Sequence, residues 1–160
     1  MKRALLVFAL LAFARPAPAL MLEVPLDRLA AGSDAVVRAK VMEMESRWTD
    51  DRTTIVTDVT FSIVESWAGD LVVGSRMVIQ VEGGEVGDLG VRVEHQPVFR
   101  PGEETVLFLK ATPSARYRIN ALEQGKFTVL GDQVMGFRGE NLPLVTLRAT
   151  VRSLAPARSR

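Results

Sequence analysis

The sequence predicts a mostly β protein, a small closed or nearly closed barrel of antiparallel strands with a short helix near its start and an amphipathic helix near its end. Three observations predict it. Apolar and polar residues alternate with a period of two over several runs, clusters of Gly, Pro, Asp and Asn punctuate those runs at short spacing, and apolar residues recur at helical spacing near the end of the chain. A sandwich is the alternative architecture.

Pro25-Leu26-Asp27-Arg28-Leu29-Ala30-Ala31-Gly32 reads as a turn of helix stopped by glycine. Ala35, Val37, Ala39 and Val41 then alternate with Arg38 and Lys40, the pattern of a half-buried strand. The phase slips at Val41-Met42, because Met42 and Met44 continue the apolar side while Glu43 and Glu45 take the other. One inserted residue is the mark of a β-bulge, which bends a strand; alternatively, Val41 faces a second apolar layer. Ile55, Thr57, Val59, Phe61 and Ile63 form the clearest strand, so residues 35–47 and 53–66 are expected as a long hairpin around a polar turn at Trp48–Arg52. Trp67–Asp70 turns the chain, and Met77, Ile79 and Val81 alternate as a third strand.

Residues 83–102 break the pattern with five glycines and two prolines, leaving at most a short strand at Val91–Glu94. Long irregular connections in compact domains are often functional, so a contact surface is expected here, with Glu85, Asp88, Arg92, His95 and Arg100 as candidate partner contacts. Thr105–Lys110, Tyr117/Ile119/Ala121, Gly125–Leu130 and Gln133–Phe137 read as further strands, the last two joined by a Gly131-Asp132 turn. Leu144, Leu147, Val151 and Leu154 then recur at helical spacing after Asn141 and Pro143, read as cap and first-turn proline. The apolar stripe of this helix is expected to seal the barrel.

The first 19 residues read as a secretory signal. Lys2 and Arg3 precede an apolar run from Ala4 to Ala14, and Ala17-Pro18-Ala19 places small residues where a signal peptidase reads them. The run falls short of the roughly 20 residues a helix needs to cross a bilayer. The expected organisation is a signal peptide at 1–19, a single domain at 20–154 and a flexible tail at 155–160, in a protein exported to the periplasm or the medium. The chain has no cysteine, so no lipid anchor on a cysteine, no disulfide and no thiolate chemistry is expected, and the core alone must hold the domain. Losing Lys2, Arg3 and Arg15 from the 20 basic residues leaves 17 against 19 acids, a net charge of −2. That balance argues against a nucleic-acid partner. Arg148, Arg152, Arg158 and Arg160 read as a solvated helix face and tail.

Catalytic chemistry finds little to work with. His95 is the only histidine, no serine sits in a Gly-x-Ser-x-Gly elbow, and a histidine-rich zinc site cannot be built. The run Glu82–Gly90 has glycines enough for a phosphate cradle but no Gly-Lys-Ser/Thr ending, and its spacing fits no calcium loop. It reads as a glycine-rich β-turn. Neither a cofactor nor a metal is expected.

Ser33-Asp34-Ala35-Val36-Val37-Arg38-Ala39-Lys40-Val41 resembles the first barrel strand of the netrin-like domains, which include the tissue inhibitors of metalloproteinases. The likeness continues loosely to Trp67-Ala68-Gly69 and Glu103–Leu109, over about half the chain. It implies an OB-like β-barrel. In those inhibitors a terminal Cys-x-Cys segment chelates the protease zinc; this chain has no cysteine, so the resemblance carries the fold and not that mechanism. The whole chain also resembles bacterial exported proteins without an assigned activity. Together these readings predict an exported, non-catalytic binding module with a protein partner. An inhibitor-like or accessory partner of a secreted metalloprotease, and an OB-type barrel binding a small ligand or glycan, stand as alternatives, and an enzyme using scattered acids or serines is the third class.

Overall fold

The computed structural model describes residues 22–114 and 116–154, so the expected signal at 1–19 and tail at 155–160 lie outside the described residues. Helix α1 (Leu26–Ala31) is followed by strands β1 (Ala35–Trp48), β2 (Ile55–Ala68), β3 (Arg76–Glu82), β4 (Gly84–Val86), β5 (Leu89–Val91), β6 (Glu104–Ala111) and β7 (Tyr117–Ile119). A 3₁₀ turn (Leu122–Gly125), β8 (Lys126–Leu130), β9 (Gln133–Met135), β10 (Asn141–Pro143) and helix α2 (Leu144–Leu154) complete the chain. The protein is mostly antiparallel β.

The main sheet runs β10-β9-β8-β6-β1-β2-β3, with β7 on the same side of β6 as β8, and β4 and β5 form a separate hairpin. No closed barrel is found among the described residues. Ile119 of β7 lies level with Ala35 through Leu109, whereas β3 begins level with Lys40 through Ser62, so the two edges are offset. They come close without forming a ladder.

The sheet is packed on both faces. Along one face Ala35, Val37, Ala39 and Val41 meet Val59, Phe61 and Ile63 of β2, Met77 and Ile79 of β3, and Leu107 and Leu109 of β6. Phe99 sits edge-on to Phe61, with ring centroids 5.2 Å apart, and closes this core from the loop side. Along the other face Val36, Trp67, Val106, Phe108 and Phe127 pack beneath α1 and α2 through Leu29, Ala30, Leu147 and Val151. Helix α2 therefore covers the outer face of the sheet instead of sealing a barrel. β6 is apolar at consecutive positions because it is buried from both sides. Each fully buried Phe or Leu contributes on the order of 1.5–3 kcal/mol.

The phase slip in β1 is a bulge. Val41 pairs with Phe61 and Glu43 with Thr60, so Met42 is the extra residue, and it is exposed. Beyond it the inward side passes to Met44, which packs against the first core, while Glu43 and Glu45 face solvent. The bulge sits where the pairing with β6 runs out, beside the first residue of that strand, Glu104. Val41 still exchanges hydrogen bonds with Glu103 O and Gly102 N, and past that point the β1–β2 ribbon leaves β6 behind.

Other elements differ from the sequence reading at their ends. The Val91–Glu94 strand is instead β5, paired with β4 around Gly87-Asp88, since Gly87 at φ 61° supplies a left-handed turn. Ala121 is left-handed at φ 57° and starts the 3₁₀ turn, so it does not extend β7. β9 stops at Met135, short of Phe137, and Asn141 and Pro143 belong to β10, ahead of α2. Leu144 N instead donates to Asp132 O at the helix start.

Arg148 is not a merely solvated residue. Its guanidinium meets Glu65 Oε2 at 3.2 Å, Arg38 holds Glu65 Oε1 at 3.0 Å, and Trp67 Nε1 donates to Glu65 Oε2 at 3.0 Å. Arg38 also pairs with Glu104, so one carboxylate and one guanidinium tie β1, β2, β6 and α2 together. Burial alone would raise the Glu65 carboxyl, but the bonds from Trp67, Arg38 and Arg148 outweigh it and hold the group below the ordinary carboxylate range.

Candidate functional site

A groove of about 670 Å³ opens where the bulge turns the β1–β2 ribbon away from β6. Met44, Thr57, Val81 and Phe99 contribute from the sheet and core side, and Gly83, Gly84, Val91 and the 92–98 segment form its rim together with Glu123. The two glycines explain how the chain crosses here. Gly83 and Gly84 have φ of 93° and 140°, and a Cβ at Gly84 would lie 2.3 Å from Thr57 Oγ1 and 2.5 Å from Ser46 Oγ. Those hydroxyls are 2.9 Å apart, and Thr57 Oγ1 donates to Gly83 O at 2.7 Å, so the glycine run serves a close crossing of β4 over the ribbon. Among the described residues no group of three or more metal-ligating side chains converges.

The rim is held from beneath. Lys126 Nζ reaches Val98 O and the Glu103 carboxylate, both at 2.5 Å, and lies 4.9 Å from the Phe99 ring centroid. Glu103 in turn accepts from Thr128 Oγ1 at 3.1 Å and from Arg100 N at 3.1 Å. Backbone carbonyl, ring and carboxylate thus converge on one nearly buried ammonium, which fixes residues 98–103 although they form no strand. On the other side, Gln124 is buried and clamps the start of the described chain, accepting from Val24 N at 2.7 Å and donating to Leu22 O at 3.1 Å.

His95 stands on the rim in a left-handed conformation, φ 62°, with Nδ1 2.9 Å from Glu123 Oε1. Its carbonyl accepts from Glu123 N at 3.0 Å, so residue 123 grips both backbone and ring. Among the described residues, Glu123 is the one side chain that hydrogen-bonds this imidazole. Arg92 is exposed on the same rim and makes no ion pair with a described residue, and Val98 is 67 % exposed.

The five sequence candidates are all exposed, but the structure does not gather them. Arg92 and His95 share the groove. Glu85 and Asp88 lie on the β4–β5 hairpin outside it, and Arg100 borders a separate depression with Arg38, Glu104 and Gly131. Sequence reasoning missed Glu123, Thr57 and Met44, which reach the groove from distant parts of the chain. Only the bulge at Met42 signalled that the ribbon would turn there.

No protein-family model matches the chain and no curated protein is significantly similar to it, so the functional reading rests on this geometry.

Proposed function

We propose that this protein is an exported, non-catalytic binding module that receives a protein partner on the 92–98 rim and the groove behind it. The observation that carries the reading is a displayed segment on a fixed base. Arg92, His95 and Val98 project outward, while Lys126, Phe99, Glu103 and Glu123 hold the backbone that carries them. A surface already ordered before contact loses less conformational entropy on binding than a floppy loop of the same composition. Arg is among the side chains enriched at interface centres, and here Arg92 stands beside a groove floored in part by Met44, Val81 and Phe99.

The fold reads as an OB-like barrel left open between β3 and β7, supported by the bent β1 that pairs with both β2 and β6 and by the approach of β3 to β7. Such barrels bind many ligand classes, so the fold does not choose the partner. With the netrin-like resemblance, a secreted metalloprotease is the partner to try first. Inhibition kinetics against such proteases from the same source would test it, and absence of both inhibition and binding would remove it.

A photo-crosslinking side chain placed at residue 92 is expected to capture a partner under native conditions, and the same group at residue 88 is not. Equal capture from both positions, or capture from 88 alone, would move the interface away from the groove.

A further inference from the structure

Among the described residues, only the turn between β2 and β3 exposes two consecutive large apolar side chains, Val72 at 68 % and Val73 at 59 %. The backbone beneath them is fixed. Ser75 Oγ donates to Val72 O at 2.6 Å, Ser75 N donates to the same oxygen at 3.1 Å, and Gly74 N donates to Ile63 O at 2.8 Å. Gly74, at φ 84°, supplies the left-handed residue that the turn needs. Two valines are thus held out in water, against the gain that burying them would bring.

The ground beside the turn is basic. Leu71 lines a depression of about 740 Å³ together with Arg76 and Val78 on the outer face of β3 and Arg116 and Arg118 of the β6–β7 hairpin. Tyr117 and Ile119 pack into the core, so Arg118 between them points to the same outer side. Arg76, Arg116 and Arg118 are exposed and form no ion pair with a described residue. Asp58, the one acid lining the depression, is engaged by Arg47 at 3.2 Å and by Gln80 Nε2 at 2.9 Å, and Asp70, in the turn itself, already has a partner. The turn precedes β3, whereas the groove lies beyond its other end, at Val81 and Gly83, so the two surfaces are separate.

We infer that this turn and its arginines are a contact for an anionic phospholipid membrane, with Val72 and Val73 entering the boundary between headgroups and acyl chains and the guanidiniums meeting lipid phosphates. Apolar tip and unpaired cations together are what such a surface attracts. A soluble polyanion matches the charge and has no use for the valines. Two adjacent valines are also a small centre for a stable protein interface, which takes about 800 Å² from each partner, whereas a bilayer accepts a point insertion. The arginines stand on two different elements, and lipid headgroups can move laterally to meet each of them.

The chain has no cysteine, so Val73→Cys in the full chain places an environment-sensitive fluorophore at one site, and Leu89→Cys on the β4–β5 hairpin serves as control. The probe is vesicles of equimolar phosphatidylglycerol and phosphatidylcholine. A label at residue 73 reports insertion of the turn itself, whatever the N-terminal apolar run does on the same vesicles. The inference predicts a blue shift at residue 73, the same from a label at residue 72, and none at residue 89. The half-point of the titration should rise about twentyfold or more for Arg116→Gln/Arg118→Gln, on the scale of about fivefold for each guanidinium at an anionic surface. Arg92→Ala/His95→Ala should leave it unchanged, so failure here and failure of the groove reading are told apart. Absence of the shift at residue 73 overturns the inference, as does an equal shift on vesicles of phosphatidylcholine alone or one indifferent to the arginines. Binding of dextran sulfate at these arginines with no shift on vesicles would assign them to a soluble polyanion. A protein, and no lipid, captured by a photo-crosslinking side chain at residue 73 would assign the turn to a protein partner.

Discussion

Glu65 shows how one side chain can hold four elements in register. Its carboxylate accepts from Arg38, Arg148 and Trp67 while about a quarter exposed, so the charge is compensated without leaving water altogether. Because its folded pKa is depressed, its stabilisation is fully present above about pH 4.5, the value for an unperturbed glutamate, and is lost as pH falls through the lower folded value. Glu65→Gln is expected to lower stability at pH 7 by about 1 kcal/mol, the scale of a partly exposed ion network. Urea unfolding should show the gap between wild type and variant shrinking as pH drops below that window; a gap of constant size would mean the carboxylate's charge is not what matters. Gly84 offers a second prediction at this scale. Alanine there meets two hydroxyl oxygens at under 3 Å in a backbone conformation that L residues rarely adopt, whereas alanine at Gly87 meets open space and only the left-handed backbone cost of about 1 kcal/mol. Thermal unfolding should rank Gly84→Ala as the more damaging change.

At the scale of elements, legibility in the sequence followed how local the cause was. The alternation in β1 and β2, the short α1 ended by Gly32 and the apolar stripe of α2 are written in adjacent residues, and all three form where the pattern put them. The β4–β5 hairpin was hidden because its glycines read as irregular chain. The covering of the outer sheet face by α2 was hidden because Leu147 and Val151 state only that the helix is buried, not against what. Leu147 is fully buried on that face, so Leu147→Ala is expected to cost about 2–5 kcal/mol, and a loss under 1 kcal/mol by denaturant titration would show the helix to be loosely docked. The bulge gives a sharper test. Deleting Met42 restores simple alternation, so Val41 and Met44 both remain inward while the bend relaxes. The deletion should leave a folded protein with native far-UV dichroism and a groove that no longer holds its partner. Retained partner binding would separate the groove from the bend.

For the whole molecule, what positions the candidate site is a sheet that bends at Met42, a glycine crossing that draws β4 over the ribbon, and a lysine that anchors the rim from β8. Of the five candidate residues in the 83–102 segment, Arg92 and His95 lie on that rim, and their companion Glu123 comes from 28 residues beyond His95. Such long-range company is not written in spacing. The most direct test of the central proposal is comparative affinity capture from the periplasm and medium of the source organism, with wild type, Arg92→Ala/His95→Ala/Val98→Ser and Arg100→Ala as baits. The account predicts a protein retained by wild type and by Arg100→Ala and lost from the triple variant. Identical retention by all three folded baits would contradict it.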